Sequence, residues 1–172
     1  QHLRQLTGWG TASPTAPITM VSGDGQMLYS ASRNDAILEF SHARQTSWWR
    51  NVSRKITAKR SHLSMFNETN CPITERFDRG VQTIELSKVV GSVNRSDDFD
   101  ADFLPRVDYV QDRWVNIHLA YQNGEYLPPI DVYKFDDQYY VIDGHHRVSV
   151  MRFHGQQYIE ASVIELHSPC WN

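Results

Sequence analysis

The chain has 172 residues with 40% hydrophobic and 12% aromatic side chains, enough apolar surface for one folded domain and too much for a disordered polypeptide. No apolar run reaches the roughly 18 residues a membrane-spanning helix needs, and no charged start followed by a short apolar stretch marks a secretory leader. The formal charge of -3 divides unevenly. Residues 1–66 hold eight Lys/Arg against three acids, and residues 67–172 hold nine against seventeen.

Residues 1–34 are rich in Gly, Ser, Thr and Pro without periodicity and are expected to form a flexible tail. The SGDG run at Ser22–Gly25 reads as a turn, because no Lys-Ser/Thr follows it to make a phosphate loop. Residues 35–80 are expected to be a basic helical extension. Between Phe40 and Phe66 stand six basic residues and no acid, with Trp49, Val52, Ile56 and Leu63 at helical offsets. Arg50, Arg54, Lys55, Lys59 and Arg60 form a candidate patch for nucleic acid or an acidic partner. The competing reading docks this helix on the chain's own acidic half.

Residues 81–166 read as a mixed α/β module. Val81–Leu86 alternates as a strand, Ser87 is placed to cap a helical turn through Val90, and residues 91–100 read as a polar loop. Asp108 opens a helix carrying Val110, Trp114, Ile117 and Tyr121, stopped by Asn123 and Gly124. Pro128 and Pro129 precede a strand over residues 130–135, the Asp136–Gln138 turn leads into a second over 139–142, a helix follows from His145 to His154, and a last strand covers 158–166. Residues 167–172 are a short tail. Two cysteines, Cys71 and Cys170, are too few for a disulfide framework and are expected as thiols; three Asn-x-Ser/Thr triplets, at Asn51, Asn67 and Asn94, against about one expected by chance, are weak evidence for a secreted glycoprotein. A cytoplasmic protein is expected.

The chemistry concentrates at Asp143-Gly144-His145-His146-Arg147, where a strand passes through glycine directly into a helix. First-turn amides lack intrahelical acceptors and sit at the positive end of the helix dipole, so they suit an anion. Arg147 adds a forked cation, His145 and His146 can donate hydrogen bonds or exchange protons, and Asp143 can accept a proton or meet a metal. Read more plainly, Asp143 caps the helix and the other three are merely exposed in its first turn. A zinc site lacks a third ligand, since position 149 is Ser, and Ser149 lacks a nucleophile-elbow setting. The acidic run Asp97, Asp98, Asp100 and Asp102 reads as a magnesium site or as a solvated loop.

The stretch VIDGHHRVSVMRFHGQQYIEASVIE (Val141 to Glu165), preceded by LPPIDVYKFDDQYY, resembles the second half of the ParB/sulfiredoxin superfamily domain. ParB proteins carry an AGERR-type box there, sulfiredoxins a GGCHR-type box and free serine kinases a DGHHR-like one. The segment IELSKVVGSVNRSDDFDADFLP (Ile84 to Pro105) is similar to the first ParB box and puts Arg95 at its arginine. The resemblance covers about residues 81–166 and implies a small mixed sheet with helices. It also implies a nucleotide (ATP/ADP or CTP), with Mg2+, held at the helix start.

On that likeness Arg95, Gly144, His145, His146 and Arg147 hold phosphates, and Asp143 and His145 are the catalytic candidates for phosphoryl transfer to a small hydroxyl acceptor or for hydrolysis. A ParB-like nuclease or nucleic-acid-binding protein, and a non-catalytic nucleotide-responsive module, are the alternatives; a homodimer is left open. The departures are specific. His145 stands at the sulfiredoxin cysteine, which argues against sulfinic acid reduction, and the helix-turn-helix and ENxxR-type helix of ParB have no counterpart.

Overall fold

The computed structural model describes residues 32–57, 63–66 and 73–168. In chain order these form α1 (Arg33–Thr57), β1 (Ser64–Met65), β2 (Glu75–Glu85), a 3-10 turn (Leu86–Lys88), β3 (Val89–Ser92), a second 3-10 turn (Asp108–Val110), α2 (Gln111–Gln122), β4 (Ile130–Phe135), β5 (Gln138–Asp143), α3 (His145–Phe153) and β6 (Tyr158–His167). The fold is mixed α/β: one six-stranded sheet in the order β1-β3-β5-β4-β6-β2 with three helices.

Turn chemistry sets most of the boundaries. Gly124 and Gly155 take positive φ where α2 and α3 end, and Asp136 does so in the β4–β5 hairpin. β5 runs antiparallel to β4 and parallel to β3, and β4 and β6 are parallel. A parallel pair needs a long crossover, and the chain from β3 to β5 supplies it through α2 and the β4 hairpin.

α3 lies between two cores. Val148 packs in the sheet core with Val89, Phe99, Phe103, Ile130, Val132 and Val141. Val150 packs in a helical core with Ala36, Phe40 and Ala43 of α1 and Val110, Trp114 and Val115. Trp114, fully buried on α2, donates its indole N–H to Ser149 Oγ at 2.9 Å and stitches α2 to α3. Ser149 is thus a structural acceptor.

The structure corrects several expectations. The helical turn expected through Val90 forms as the 3-10 turn over Leu86–Lys88 and stops there, and β3 takes the chain from Val89 into the start of the loop expected from residue 91; the short Val-Val-Gly-Ser run extends because β5 and β1 pair with it on both sides. The sheet also exceeds residues 81–166. β1 joins it, and β2 begins at Glu75 because six further residues reach along β6 past a bulge at Gly80, whose φ is 67°. At the other end β6 runs through His167.

The helix of the basic region starts at Arg33 and buries Ala36, Phe40, Ala43 and Ser47, while Trp48 and Trp49 are exposed and Leu63, beyond the helix, is in the sheet core. Small side chains let α1 approach α2 closely, which the two indoles would prevent. The expected tail before residue 32, Cys71 and Cys170 lie outside the described residues. Among the described residues no helix is long and apolar enough to cross a membrane.

Candidate functional site

β5 ends at Asp143 and α3 starts at His145, so the whole reversal falls on Gly144, at φ 97° and ψ 18°. A Cβ there would stand 2.5 Å from Ile130 Cγ2 and 2.9 Å from Ile130 Cβ. Glycine is therefore required by the backbone angle and by the close approach of β4. The first helical bond of α3 is Val148 N–H to Gly144 O at 3.0 Å, which leaves the amides of the first turn to other acceptors.

Because β3 and β5 are neighbours and parallel, their C-terminal ends lie side by side. Ser92, the last residue of β3, meets His145 there: Ser92 Oγ and His145 Nε2 are 2.8 Å apart and both residues are buried. Ser92 Oγ also accepts the amides of Asn94 (3.2 Å) and Arg95 (2.8 Å), a hydroxyl-capped turn that fixes the backbone at Arg95. The His145 ring lies nearly parallel to Phe99 and near Phe103, while His146 meets the Phe99 ring edge-on at 5.4 Å. Phe103 holds a left-handed backbone, φ 61°, rare for a bulky side chain.

Both histidines are held neutral. Burial, then the charge of Arg95, pushes the His145 pKa down to about 4, with Asp143 and Asp98 acting the other way. Burial, then Arg113 and Arg95, takes His146 down to about 4 as well. His146 Nδ1 is sealed from solvent with no hydrogen-bond partner. Arg95 pairs with Asp98 at 3.0 Å and keeps 44% of its side chain exposed; Asp98 also accepts the Tyr109 hydroxyl.

Arg147 stands differently. Its guanidinium donates to the carbonyls of Pro128 and Pro129 and to Asp143 Oδ2 (2.7 Å), with only 11% of the side chain exposed. Through these contacts it buttresses the loop before β4, and it also lines a cavity of about 410 Å³ with Pro128 and Met151. Asp143, 58% exposed, is its ion-pair partner.

The acidic run is dispersed. Asp98 serves Arg95, Asp100 Oδ1 accepts the amides of Asp102 and Leu104 at 2.9 Å each, and Asp102 pairs with Arg50 at 3.0 Å. Among the described residues no group of three or more His, Cys, Asp or Glu side chains gathers in metal-binding geometry. The basic helix likewise meets its own chain: Arg33 pairs with Asp112, Arg44 with Asp108 and Arg50 with Asp102. The side chains of Arg54 and Lys55, and all of Lys59 and Arg60, lie outside the described residues.

Sequence reasoning missed Ser92 and Arg113. Ser92 stood two residues before Asn94-Arg95, a spacing at which a hydroxyl caps a turn, so a local signal existed. Arg113 carried none, since only the packing of α2 brings its charge to His146.

No known protein family and no curated protein matches the chain. Among solved structures it is similar to sulfiredoxin from Arabidopsis thaliana at 20% identity, over 48% of this chain and 82% of that one, with a TM-score of 0.37. At that level the similarity bears on neither the site nor the activity.

Proposed function

We propose that this chain is a ParB/sulfiredoxin-like domain that binds the phosphates of a nucleotide at the start of α3 for phosphoryl transfer to water or to a small hydroxyl acceptor. The observation that carries the reading is the meeting of Ser92 and His145 at the adjacent C-terminal ends of two parallel strands, the crevice where open α/β sheets hold ligands. An anion suits that crevice. It offers first-turn amides, the Arg95 guanidinium, and beneath them the charge of Arg113 beside an unpartnered His146. Arg147 enters this reading as a support for the corner, and His145 and His146 as neutral ring groups near the phosphates.

Asp143 is the exposed carboxylate of the corner and the candidate to take the proton of the attacking hydroxyl. Magnesium would accompany the nucleotide largely through phosphate oxygens, where it neutralises charge developing on the transferred group. The alternative nucleic-acid role rests on the basic run Arg50, Arg54, Lys55, Lys59 and Arg60 as it stands in the sequence; of these, Arg50 pairs with Asp102.

The test is a thermal-shift series with ATP, ADP, CTP and GTP, with and without magnesium, followed by a phosphate-release assay. A ligand at a hundred times its Kd adds about 2.7 kcal/mol, roughly 8 °C in Tm for a domain of this size. Arg95→Ala should weaken that ligand roughly tenfold or more, as loss of a charge-assisted hydrogen bond does. No shift with any nucleotide, or an Arg95→Ala variant that binds as tightly as the native chain, would overturn the proposal.

A further inference from the structure

Ser92 Oγ has one hydrogen and two lone pairs. The lone pairs take the amides of Asn94 and Arg95, so the one hydrogen is left for His145 Nε2 at 2.8 Å. Nε2 must then accept, and in a neutral imidazole the proton sits on Nδ1. The opposite tautomer would aim three N–H groups at one oxygen and leave the serine hydrogen with nothing to meet. An imidazolium would do the same. The hydrogen-bond count thus favours one of the three states of the ring, and the low pKa of His145 agrees with it. His145 Nδ1 has no acceptor among the described residues, and, unlike His146 Nδ1, it is not sealed from solvent.

We infer that Ser92 is a positioning residue that holds His145 as its Nδ1–H tautomer, so that the corner presents its ligand with a neutral hydrogen-bond donor in place of a general base. The ligand half of this inference rests on the anion reading above; the tautomer half stands without it. The consequence is chemical selectivity. A neutral donor serves an acceptor oxygen such as that of a phosphate, and it cannot take a proton through Nε2 while Ser92 occupies that nitrogen. Ser92 itself is fully buried and already bonded three ways, so it is no nucleophile.

The measurement is a long-range proton–nitrogen NMR correlation of the histidine rings in the whole chain at neutral pH, without ligand. The His145 ring, assigned in the native chain through its own backbone resonances, is expected as Nδ1–H with an unprotonated Nε2. Ser92→Ala should give a mixture of tautomers, and Ser92→Thr, which keeps the hydroxyl, should restore the single one. Titration of the native chain with inorganic phosphate and then ADP should move the Nδ1 resonance. Ser92→Ala should weaken ADP about fivefold, equivalent to about 1 kcal/mol for one hydrogen bond.

An Nε2–H ring or an imidazolium in the native chain would overturn the inference whether or not nucleotides bind. The expected tautomer with an Nδ1 resonance unmoved by phosphate and ADP would leave the serine–histidine lock standing and overturn its ligand role. Because the native spectrum alone decides the tautomer, a Ser92→Ala chain that fails to fold would not rescue a wrong assignment.

Discussion

Gly144→Ala isolates what the corner demands of its backbone. Two costs add at this position. An L-residue in the left-handed region loses roughly 1–2 kcal/mol, and φ 97° lies beyond the centre of that region, so the upper end applies. The new Cβ must also push aside Ile130, whose Cγ2 stands 2.5 Å and Cβ 2.9 Å away, and overpacking of this kind costs about 1–3 kcal/mol. Ile130 is fully buried on a central strand, so it cannot swing away freely. Alanine restricts the unfolded chain and returns about 0.4–1 kcal/mol. The net expectation is a loss of about 2–4 kcal/mol, roughly 10 °C in Tm.

Gly124→Ala is the internal control. It shares the positive backbone angle, φ 69°, but has nothing within 4 Å of the added Cβ. Only the conformational term remains, about 1 kcal/mol or less after the unfolded-state gain. Urea unfolding of both variants beside the native chain compares them at equal m-value. If Gly144→Ala loses no more stability than Gly124→Ala, the crowding against Ile130 is not real and the account of why glycine stands there is wrong.

Three other outcomes follow from the same contacts. Ser149→Ala should cost about 1–3 kcal/mol, because the Trp114 indole N–H is left buried without its 2.9 Å acceptor; an unchanged urea midpoint would contradict this. Acid should destabilise the fold early: His118, His145 and His146 are buried and held neutral to about pH 4, whereas the unfolded chain takes up those protons near pH 6.5. Above pH 6.5 they contribute no pH dependence, and between about 6.5 and 4 each loses on the order of 3 kcal/mol, so unfolding should set in near pH 5; stability that stays flat from pH 7 to 5 would refute the neutral assignments. Arg50→Ala should change stability by less than about 1 kcal/mol, since the Asp102 pair is half-exposed, and a larger loss in low salt would show that α1 is held chiefly by charge.

How far the fold could be read depended on whether a boundary was written in local chemistry. α2, the β4–β5 hairpin, α3 and β6 are punctuated by Asn123-Gly124, Pro128-Pro129, Asp136 and the glycines at 144 and 155, each imposing a backbone angle that ends an element. β3 has no such frame. Its four residues include a glycine, and what extends them is hydrogen bonding to β5 and β1, which are distant in the chain. α1 misled for a packing reason. The spacing of Trp49, Val52, Ile56 and Leu63 draws one face through the large side chains, yet close helix contact favours Ala36, Ala43 and Ser47 around Phe40. The same distinction divides the corner: the glycine reversal was legible, and the Ser92 contact that organises it arises only when two parallel strands end together.

The two arginines of the resemblance illustrate why a motif and a site are different things. Arg147 lies within the conspicuous run, but a helix start packed under a proline-rich loop gives its guanidinium three oxygen acceptors before any ligand arrives. Removing it would unseat Pro128 and Pro129 and disturb Ile130, the residue against which Gly144 is fitted. Lost binding in an Arg147 variant would therefore not distinguish a missing phosphate contact from a displaced corner. Arg95 comes from the less conspicuous segment, is bound through one guanidinium nitrogen to one carboxylate, and keeps nearly half its side chain in solvent. Its substitution changes the charge at the crevice with the least change to the core, so Arg95, rather than the motif arginine, is the residue on which the anion reading stands or falls.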